Sequence, residues 1–211
     1  THRMPVYSSA GCNARAVCDY VEQVLTEMHL ADNSTVGVIG YGHIGTLVVQ
    51  MAQRKGYKTL VSDPYKDFPL SVNDIAQQCN VLTFHTPLTV DGAYPTYHLL
   101  NEQTLDLLYE SARINKQPKL IINAARGGII DEQAILKRLR QEDAMSADKK
   151  NASSPLTFAI DCWENEPAIS HDLLQREEVR CASFHIAGYS VEGKRNASQM
   201  CLDAICQHFH L

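Results

Sequence analysis

The chain has 211 residues, of which 45% are hydrophobic, and it carries a formal net charge of -5. This length and apolar content suffice for one large domain or two small ones with a substantial core. The charge is mild and the basic residues are spread along the chain, which argues against nucleic acid as a partner. A membrane is excluded as well, because no apolar stretch is long enough to span a bilayer.

The first predicted element is a long amphipathic helix within residues 11–30, with Asn13 as its N-cap. The apolar residues of its buried face are Val17, Tyr20, Val21, Val24, Leu25 and Met28. A strand, a glycine turn and a second helix follow between Thr35 and Val49. Gly56 ends that helix before another apolar run, Tyr57 to Val61, which completes a βαβ unit.

Helical and apolar segments continue to alternate along the chain. Ser71 and Asn101 are predicted N-caps of two helices, and Asp131 is predicted to start a third that ends near Arg140. The apolar runs between them predict four more strands, at 80–84, 119–122, 156–160 and 182–184. The polar stretch 141–155 lacks periodicity and is interpreted as an exposed insertion.

A second long helix is predicted at the other end of the chain, in residues 191–211. Its apolar face comprises Ala197, Met200, Cys201, Ala204, Ile205 and Phe209. Together these elements predict an α/β fold with a doubly wound parallel sheet of about six strands, of the Rossmann type. We expect one domain with its core at about 31–190 and a linking helix at each end.

The seven cysteines are odd in number and show neither CxxC nor zinc-finger spacing. We interpret them as buried or free thiols in a reducing cytoplasm, which is the expected location. His208 and His210 would suggest a metal site only with a third ligand, and none is evident near them. We therefore expect a solvated end of the chain and no metal.

The glycine turn GYGHIG at 40–45 is the strongest indication of a ligand. Gly40 permits a tight turn, Gly42 permits close approach of a pyrophosphate, and Gly45 permits close packing of helix on strand. The helix start at His43 and Ile44 supplies N–H groups and the positive end of the helix dipole. A tight structural connection is the alternative, but the flanking strand and helix favour a dinucleotide site.

Asp63 follows Gly45 by 18 residues, at the end of the second predicted strand. A carboxylate there can accept hydrogen bonds from the hydroxyls of the adenosine ribose and would repel a 2'-phosphate, so NAD is favoured over NADP. In the alternative interpretation, Asp63 and Pro64 only begin a turn.

The ends of the later strands carry the candidate catalytic groups. Arg126 precedes two glycines and could grip a carboxylate with two parallel hydrogen bonds, or it could be a solvated loop residue. His185 could be a satisfied core residue, but oriented by Glu166 it becomes a proton-transfer group near neutral pH. By position alone, His85 at another strand end is also a candidate, whereas Glu164 could belong to a merely acidic loop.

Seven segments of the chain, in order, resemble the D-2-hydroxyacid dehydrogenases. The segments are GCNARAV at 11–17, GYGHIG at 40–45, SDP at 62–64, LTFHTPLT at 82–89, INAARGGIID at 122–131, DCWENEP at 161–167 and HIAGYSVEGK at 185–194. The resemblance implies an NAD-dependent enzyme. Within the family it points to a small phosphorylated 2-hydroxy acid as the substrate.

The resemblance also implies a role for each matching residue. Arg126, Glu166 and His185 become the catalytic triad, with Arg126 also binding the substrate carboxylate. Glu164 is then a bystander and His85 only a strand-end residue. Tyr189 is implied to contact the substrate. The implied cofactor contacts are Gly40, Gly42, His43, Ile44, Gly45, Asp63, Thr86, Ala124, Ala125, Arg126, Asp161 and Gly188, with Asp161 on the nicotinamide carboxamide.

In the family, a substrate lobe precedes the segment at 11–17 and a dimerisation region follows the final helix. We expect both to lie outside these 211 residues, which do not begin with Met and are expected to be a processed or partial chain. The resemblance implies a homodimer at full length. The two terminal helices would then be those that pass to and from the substrate lobe.

Two other functions remain open at this stage. The chain could belong to another D-2-hydroxyacid dehydrogenase, of the phosphoglycerate or glyoxylate type. It could also be an NAD-sensing interaction module that keeps the fold without turnover. The presence of Arg126, Glu166 and His185 together favours an enzyme.

Overall fold

The computed structural model describes residues 6–146 and 154–210. Within these ranges the chain forms seven α-helices and seven β-strands. The helices are α1 (Ala14–Glu27), α2 (His43–Arg54), α3 (Val72–Gln78), α4 (Glu102–Asn115), α5 (Glu132–Ser146), α6 (His171–Leu174) and α7 (Val191–Phe209). The strands are β1 (Thr35–Ile39), β2 (Lys58–Asp63), β3 (Phe68–Pro69), β4 (Val81–Phe84), β5 (Lys119–Asn123), β6 (Leu156–Ile160) and β7 (Val179–Ala182).

The strands form one sheet in the order β3-β2-β1-β4-β5-β6-β7. All neighbouring pairs are parallel except β2 and β3, which are antiparallel. The strand order reverses between β1 and β4, as a doubly wound sheet requires. The predicted α/β Rossmann-type fold is therefore confirmed.

Two strands differ from the prediction. The two-residue strand β3 is additional, and it pairs Phe68 with Asp63 at the edge of the sheet. The last strand lies at Val179–Ala182, and not at 182–184. Its register on β6 starts at Val179 and passes an irregularity. Phe184, which suggested a buried strand, is 64% exposed.

The core has two layers, one on each face of the sheet, and β4 belongs to both. Leu82 and Phe84 pack with Leu105 of α4 on one face. Val81 packs with Val48 of α2 on the other face. Successive side chains of a strand point to opposite faces, so a strand covered on both sides must be apolar throughout.

Helix starts agree with the prediction where the signal is local. Ser71 forms a reciprocal capping box with Asp74, and the Asn101 side chain accepts a hydrogen bond from the N–H of Thr104. Asp131 accepts a hydrogen bond from the N–H of Ala134 at the start of α5. Each of these bonds satisfies an N–H group that the first helical turn leaves without a partner.

Helix α5 continues to Ser146 instead of ending near Arg140, so the first part of the predicted insertion is helical. Glu142 is buried there and pairs with Arg138, whose guanidinium lies 3.7 Å from the centre of the Tyr109 ring. This packing extends the helix where sequence periodicity is absent. The predicted insertion at 147–153 lies outside the described residues.

The two terminal helices differ in how they pack. Helix α1 buries Val17, Val21 and Leu25 against the sheet, as predicted. Among the described residues of α7, only Gly193 is buried. The predicted apolar face of α7 lies largely in solvent, with Phe209 64% exposed. Along the described ranges, no helix combines the length and apolarity that crossing a membrane requires.

All seven cysteines are free thiols in the part of the chain that the structure describes. Cys18, Cys79 and Cys162 are buried. Burial raises the pKa of Cys79 and of Cys162 to about 12. These two thiols are therefore protonated and chemically quiet at neutral pH.

Candidate active site

The glycine turn lies between β1 and α2, and each glycine has its own surroundings. A Cβ atom on Gly45 would lie 1.9 Å from the carbonyl oxygen of Gly40, so the helix packs directly on the turn. Gly40 has a φ of +93°, which favours glycine, and its hydrogen atoms face the backbone of His85. A Cβ atom on Gly42 would meet no described atom within 4 Å. The turn therefore packs tightly against the protein at Gly40 and Gly45, and at Gly42 it borders open space.

Gly42 is also the N-cap residue of α2, whose first turn begins at His43 and includes Ile44. The first N–H groups of a helix have no partner within the helix, and they favour an anion. Open space at Gly42 beside these groups suits the pyrophosphate of a dinucleotide. The individual cofactor contacts of Gly40, His43, Ile44 and Gly45 stay predictions.

Asp63 ends β2 beside this turn. Its Oδ2 accepts a hydrogen bond from the N–H of Tyr41 at 2.7 Å, and its Oδ1 accepts one from the N–H of Tyr65 at 3.0 Å. Asp63 thus begins a turn, a short 3₁₀ helix at Pro64–Lys66, and also borders the glycine turn. Its side chain is only partly buried. The contact with the ribose stays a prediction.

Arg126 faces the glycine turn across a cleft of about 400 Å³. Residues on its wall include Asn13, His43, Ile44, His85 and Arg126. The Arg126 side chain is exposed, and its Nη1 donates to the backbone carbonyl of Ala125 at 2.6 Å. Ala124 and Ala125 are themselves buried under this loop. The structure therefore brings the candidate anion site and the candidate carboxylate clamp to one cleft.

His85 lies on the wall of the same cleft but is poorly suited to carry a proton. Its Nε2 lies 2.9 Å from the Oγ1 of Thr83, and burial lowers its pKa to about 3. An imidazole that stays neutral at every ordinary pH does not shuttle protons near neutrality. The positional argument for His85 as a proton carrier is therefore wrong.

Two buried polar atoms on this side of the cleft have no hydrogen-bond partner among the described residues, Nδ1 of His85 and Oγ1 of Thr86. Buried polar atoms are normally paired, so such atoms indicate a missing polar partner. Together with the open space at Gly42, they fit a bound dinucleotide. The predicted contact between Thr86 and the cofactor is consistent with this geometry and stays a prediction.

His185 and Glu166 are in direct contact. Nδ1 of His185 lies 2.8 Å from Oε2 of Glu166, while Oε1 of Glu166 accepts a hydrogen bond from the N–H of Trp163 at 2.7 Å. The His185 side chain is 45% exposed, so its ring can meet a ligand. A carboxylate that holds one ring nitrogen leaves the other free for proton transfer. The structure therefore assembles the pair that the sequence predicts.

Asp161 fixes the segment that carries His185. One of its carboxylate oxygens accepts hydrogen bonds from the Ser183 hydroxyl and the Ile186 N–H, and the other accepts from the Ala187 N–H. The residue is only 1% exposed. Asp161 therefore has an internal role as a loop anchor, which sequence reasoning missed. Its contact with the carboxamide stays a prediction.

Gly188 and Tyr189 follow in the same segment. A Cβ atom on Gly188 would lie 2.4 Å from Nδ2 of Asn13, so Gly188 allows this segment to approach the start of α1. Asn13 occupies the N-cap position, but its side chain makes no capping hydrogen bond, which corrects the predicted cap. Tyr189 is 72% exposed, and Nζ of Lys194 lies 3.7 Å from the centre of its ring. The cofactor and substrate contacts of these two residues stay predictions.

Asn123 joins the loops of Arg126 and Glu166, a role that sequence reasoning missed. Its Nδ2 donates to the carbonyl of Arg126 at 3.0 Å and to the carbonyl of Cys162 at 2.8 Å. The two loops also touch directly, because a Cβ atom on Gly127 would lie 2.0 Å from the carbonyl oxygen of Trp163. The sequence signal that could have indicated this role is the position of Asn123 directly at the end of an apolar strand.

Glu164, which the resemblance implies is a bystander of catalysis, makes a structural contact. Its carboxylate lies 2.9 Å from Nε2 of His98, whose Nδ1 lies 3.4 Å from Asp131. One ligand atom from each of these three residues lies within 4.8 Å of the others. The two carboxylates lie beside opposite nitrogens of one ring, so His98 bridges Asp131 and Glu164.

Comparison with known proteins agrees with this geometry. The family described as D-isomer specific 2-hydroxyacid dehydrogenase, NAD binding domain, matches residues 14–187. The chain is 34% identical to an erythronate-4-phosphate dehydrogenase of Bacteroides thetaiotaomicron over 215 residues, covering 97% of this chain and 56% of that protein. It is also 34% identical to one of Acinetobacter baumannii over 217 residues, covering 99% of this chain and 55% of that protein.

Solved structures share the fold. NAD+-bound 3-phosphoglycerate dehydrogenase of Entamoeba histolytica superposes with a TM-score of 0.71 at 20% identity, over 95% of this chain and 63% of that one. NAD-dependent formate dehydrogenase of Staphylococcus aureus, in complex with NAD, superposes with a TM-score of 0.69 at 19% identity. The match covers 94% of this chain and 63% of that one.

The chain spans about half the length of the curated relatives that it matches. The matched family segment nevertheless contains the glycine turn, Asp63, Arg126, Glu166 and His185. The chain belongs to the D-isomer specific 2-hydroxyacid dehydrogenases and contains the NAD-binding domain of that family.

Proposed function

We propose that this chain is the NAD-binding part of an erythronate-4-phosphate dehydrogenase. The full protein would oxidise 4-phospho-D-erythronate to 2-oxo-3-hydroxy-4-phosphobutanoate on the route to pyridoxal phosphate (vitamin B6). The names of the most similar relatives support the substrate. The observation that carries the reaction type is the contact of 2.8 Å between His185 and Glu166.

Each of the three catalytic residues has a distinct role in this proposal. Arg126 binds the substrate carboxylate through two parallel hydrogen bonds and so orients the adjacent C2 carbon. His185 removes the proton of the C2 hydroxyl with the ring nitrogen that Glu166 does not occupy. Glu166 stabilises the imidazolium that forms. The chemistry that bound NAD would supply is acceptance of the hydride from C2, which would leave C2 as a carbonyl carbon.

The cofactor would be held by the residues on the opposite side of the cleft. The N–H groups of His43 and Ile44 and the open space at Gly42 would receive the pyrophosphate. Asp63 would accept from the hydroxyls of the adenosine ribose, and Thr86 offers a buried hydroxyl oxygen without a partner in the described part of the chain. Ala124, Ala125, Asp161 and Gly188 would line the nicotinamide end.

In this proposal, residues 1–211 form one NAD-binding domain of a cytoplasmic homodimer, whose substrate lobe lies elsewhere in the full-length protein. In this proposal the exposed side chain of Tyr189 contacts the substrate. The positive charge of Lys194 lies beside Tyr189, and Arg126 carries a second positive charge in the cleft. Both charges suit a substrate that carries a carboxylate and a phosphate.

The test is turnover by the full-length protein. NADH formation would be measured with 4-phosphoerythronate, erythronate, 3-phosphoglycerate and glycolate, the last as a reporter of glyoxylate chemistry. We expect a clear preference for the phosphorylated four-carbon acid, and equal rates with all four would contradict the proposed substrate. Absence of turnover despite NAD binding would favour the NAD-sensing module.

A variant of Arg126 makes the test specific to the site. In the full-length protein, Arg126→Lys keeps the charge but loses the planar pair of donors, so we expect a large loss of kcat/KM for the substrate. Affinity for NADH should stay close to that of the wild type. Arg113→Lys, on the exposed side of α4, is the matched control. Unchanged kinetics in Arg126→Lys would remove the carboxylate clamp from the mechanism.

A further inference from the structure

His98 lies in a segment that is bonded to the segment 126–131 through several backbone hydrogen bonds. Its N–H donates to the carbonyl of Gly128 at 2.8 Å, and Leu100 pairs with Ile130 as an isolated parallel bridge. The N–H of Asp131 returns a hydrogen bond to the carbonyl of Leu100 at 2.9 Å. The segment before α4 is thus bonded to the segment between Arg126 and α5.

The His98 side chain extends this link to the loop of Glu166. Its Nε2 lies 2.9 Å from Oε1 of Glu164, and its Nδ1 lies 3.4 Å from Oδ2 of Asp131. A carboxylate only accepts hydrogen bonds, so His98 donates to both carboxylates only when both ring nitrogens carry protons. The Tyr97 ring stacks on the His98 ring with centroids 3.8 Å apart, which fixes the ring's plane.

Glu164 in turn shapes the loop around Glu166. The N–H of Glu164 donates to Oε1 of Glu132 at 2.6 Å, and Glu132 is only 2% exposed. Asn165, between the two glutamates, has a φ of +61°, in the left-handed region that asparagine adopts more readily than most residues. Without His98, the Glu164 carboxylate would lose its contact of 2.9 Å with Nε2 of that ring. The loop would then relax towards solvent.

We propose that His98 is a positioning residue for the pair Glu166 and His185. Its ring bridges Asp131 and Glu164, holds the segment of Glu164 against Glu132, and thereby fixes the loop from which Glu166 reaches His185. The role depends on the proposed function, because Glu166 and His185 are taken as the proton-transfer pair.

The primary experiment follows the His185 ring by NMR in this chain with 15N-labelled histidine. The variants are His98→Gln, Glu164→Gln and the double variant, with His171→Gln at the start of α6 as the matched control. In the wild type, Glu166 holds the proton of neutral His185 on Nδ1. In both single variants we expect the population with the proton on Nε2 to rise, and NADH affinity, measured by calorimetry, to stay unchanged.

The double variant tests whether the two residues act through one contact. If they do, its His185 signals shift no further than those of either single variant. Additive shifts, or wild-type signals in a folded His98→Gln variant, would overturn the proposal. Should His98→Gln fail to fold, wild-type His185 signals in a folded Glu164→Gln variant would overturn it equally.

A kinetic measurement on the full-length protein separates this proposal from the proposed function. In His98→Gln we expect kcat to fall roughly tenfold at an unchanged KM for NAD, because a small displacement of the base costs rate and not cofactor binding. If the wild-type protein oxidises no 2-hydroxy acid, the proposed function fails. The His185 signals still decide the role of His98 in that case.

Discussion

Nδ1 of His185 lies 2.8 Å from Oε2 of Glu166, and the second oxygen of that carboxylate is held by the N–H of Trp163. Both oxygens of Glu166 are therefore engaged, one by the backbone and one by the imidazole. This arrangement fixes the ring and directs the remaining nitrogen, Nε2, away from Glu166.

The first prediction concerns this contact. In the full-length protein, Glu166→Gln should lower kcat by about a hundredfold or more, because an amide can hold the ring but cannot stabilise its positive charge. NADH formation under saturating substrate measures the effect. Glu177→Gln, on an exposed surface position, should match the wild type. A Glu166→Gln variant with wild-type kcat would exclude Glu166 from proton transfer.

The second prediction separates two glycines of the same turn. Gly42→Ala should weaken NAD binding, because its methyl group would enter the open space of the cleft, and should lower stability only by the loss of a favourable N-cap residue. Gly45→Ala should lower the free energy of unfolding by about 1–3 kcal/mol, because its methyl group would overlap the Gly40 carbonyl. Urea unfolding and calorimetry with NAD measure the two effects. Equal changes of NAD affinity and of stability in both variants would contradict the assignment of Gly42 to cofactor binding and of Gly45 to helix packing.

The third prediction concerns cofactor choice. Asp63→Ala should weaken NAD binding and narrow the preference over NADP, because the ribose acceptor and the negative charge are lost together. It should also destabilise the domain by about 1 kcal/mol, because the N–H of Tyr65 loses its cap. Calorimetry with both cofactors tests the binding, with Asp91→Ala in an exposed loop as control. Unchanged affinity for both cofactors would refute the role of Asp63.

The fourth prediction concerns pH. Burial raises the pKa of Glu132 from 4.5 to about 7, the charges of Glu164 and Glu166 act in the same direction, and the hydrogen bond from the Glu164 N–H opposes them. The folded state then holds a proton that the unfolded state releases. The contribution of protonated Glu132 to the free energy of unfolding is complete below about pH 4.5. It is lost as the pH rises through about 7.

His98 and Asp131 are ionisable and lie close to Glu132 and Glu164, so the measurement must be a difference between variants. Urea unfolding of the wild type and of Glu132→Gln would be compared at about pH 5 and about pH 8. Between these two pH values, we expect the free energy of unfolding of the wild type to fall by roughly 3 kcal/mol more than that of the variant. Parallel pH profiles would show that Glu132 ionises normally.

Local signals in the sequence were sufficient for much of the fold. Ser71 and Asn101 cap their helices through side-chain bonds to residues three positions on, and such bonds depend on nothing distant. The glycine turn is similarly local, since Gly40 and Gly45 touch each other. The pairing of Glu166 with His185 was a hypothesis from strand-end position, and the family resemblance made both members of a catalytic triad.

The remaining features depend on contacts distant in sequence. The strand at Val179–Ala182 is defined by its register on β6, and its exposed residues lack a strand's apolar pattern. The extension of α5 depends on packing of Arg138 against Tyr109 of another helix. His98, Asp131 and Glu164 meet only because three loops converge, and their separation along the chain gave no signal.

The short strand β3 has a consequence for how copies of this protein meet. By pairing Phe68 and Pro69 back onto Asp63 and Ser62, it occupies the hydrogen-bonding groups at the end of β2 beside the cofactor cleft. At the opposite edge, β7 has only four residues and an irregular register. Neither edge offers a long flat template for another strand, which protects a sheet of seven strands from edge-to-edge aggregation.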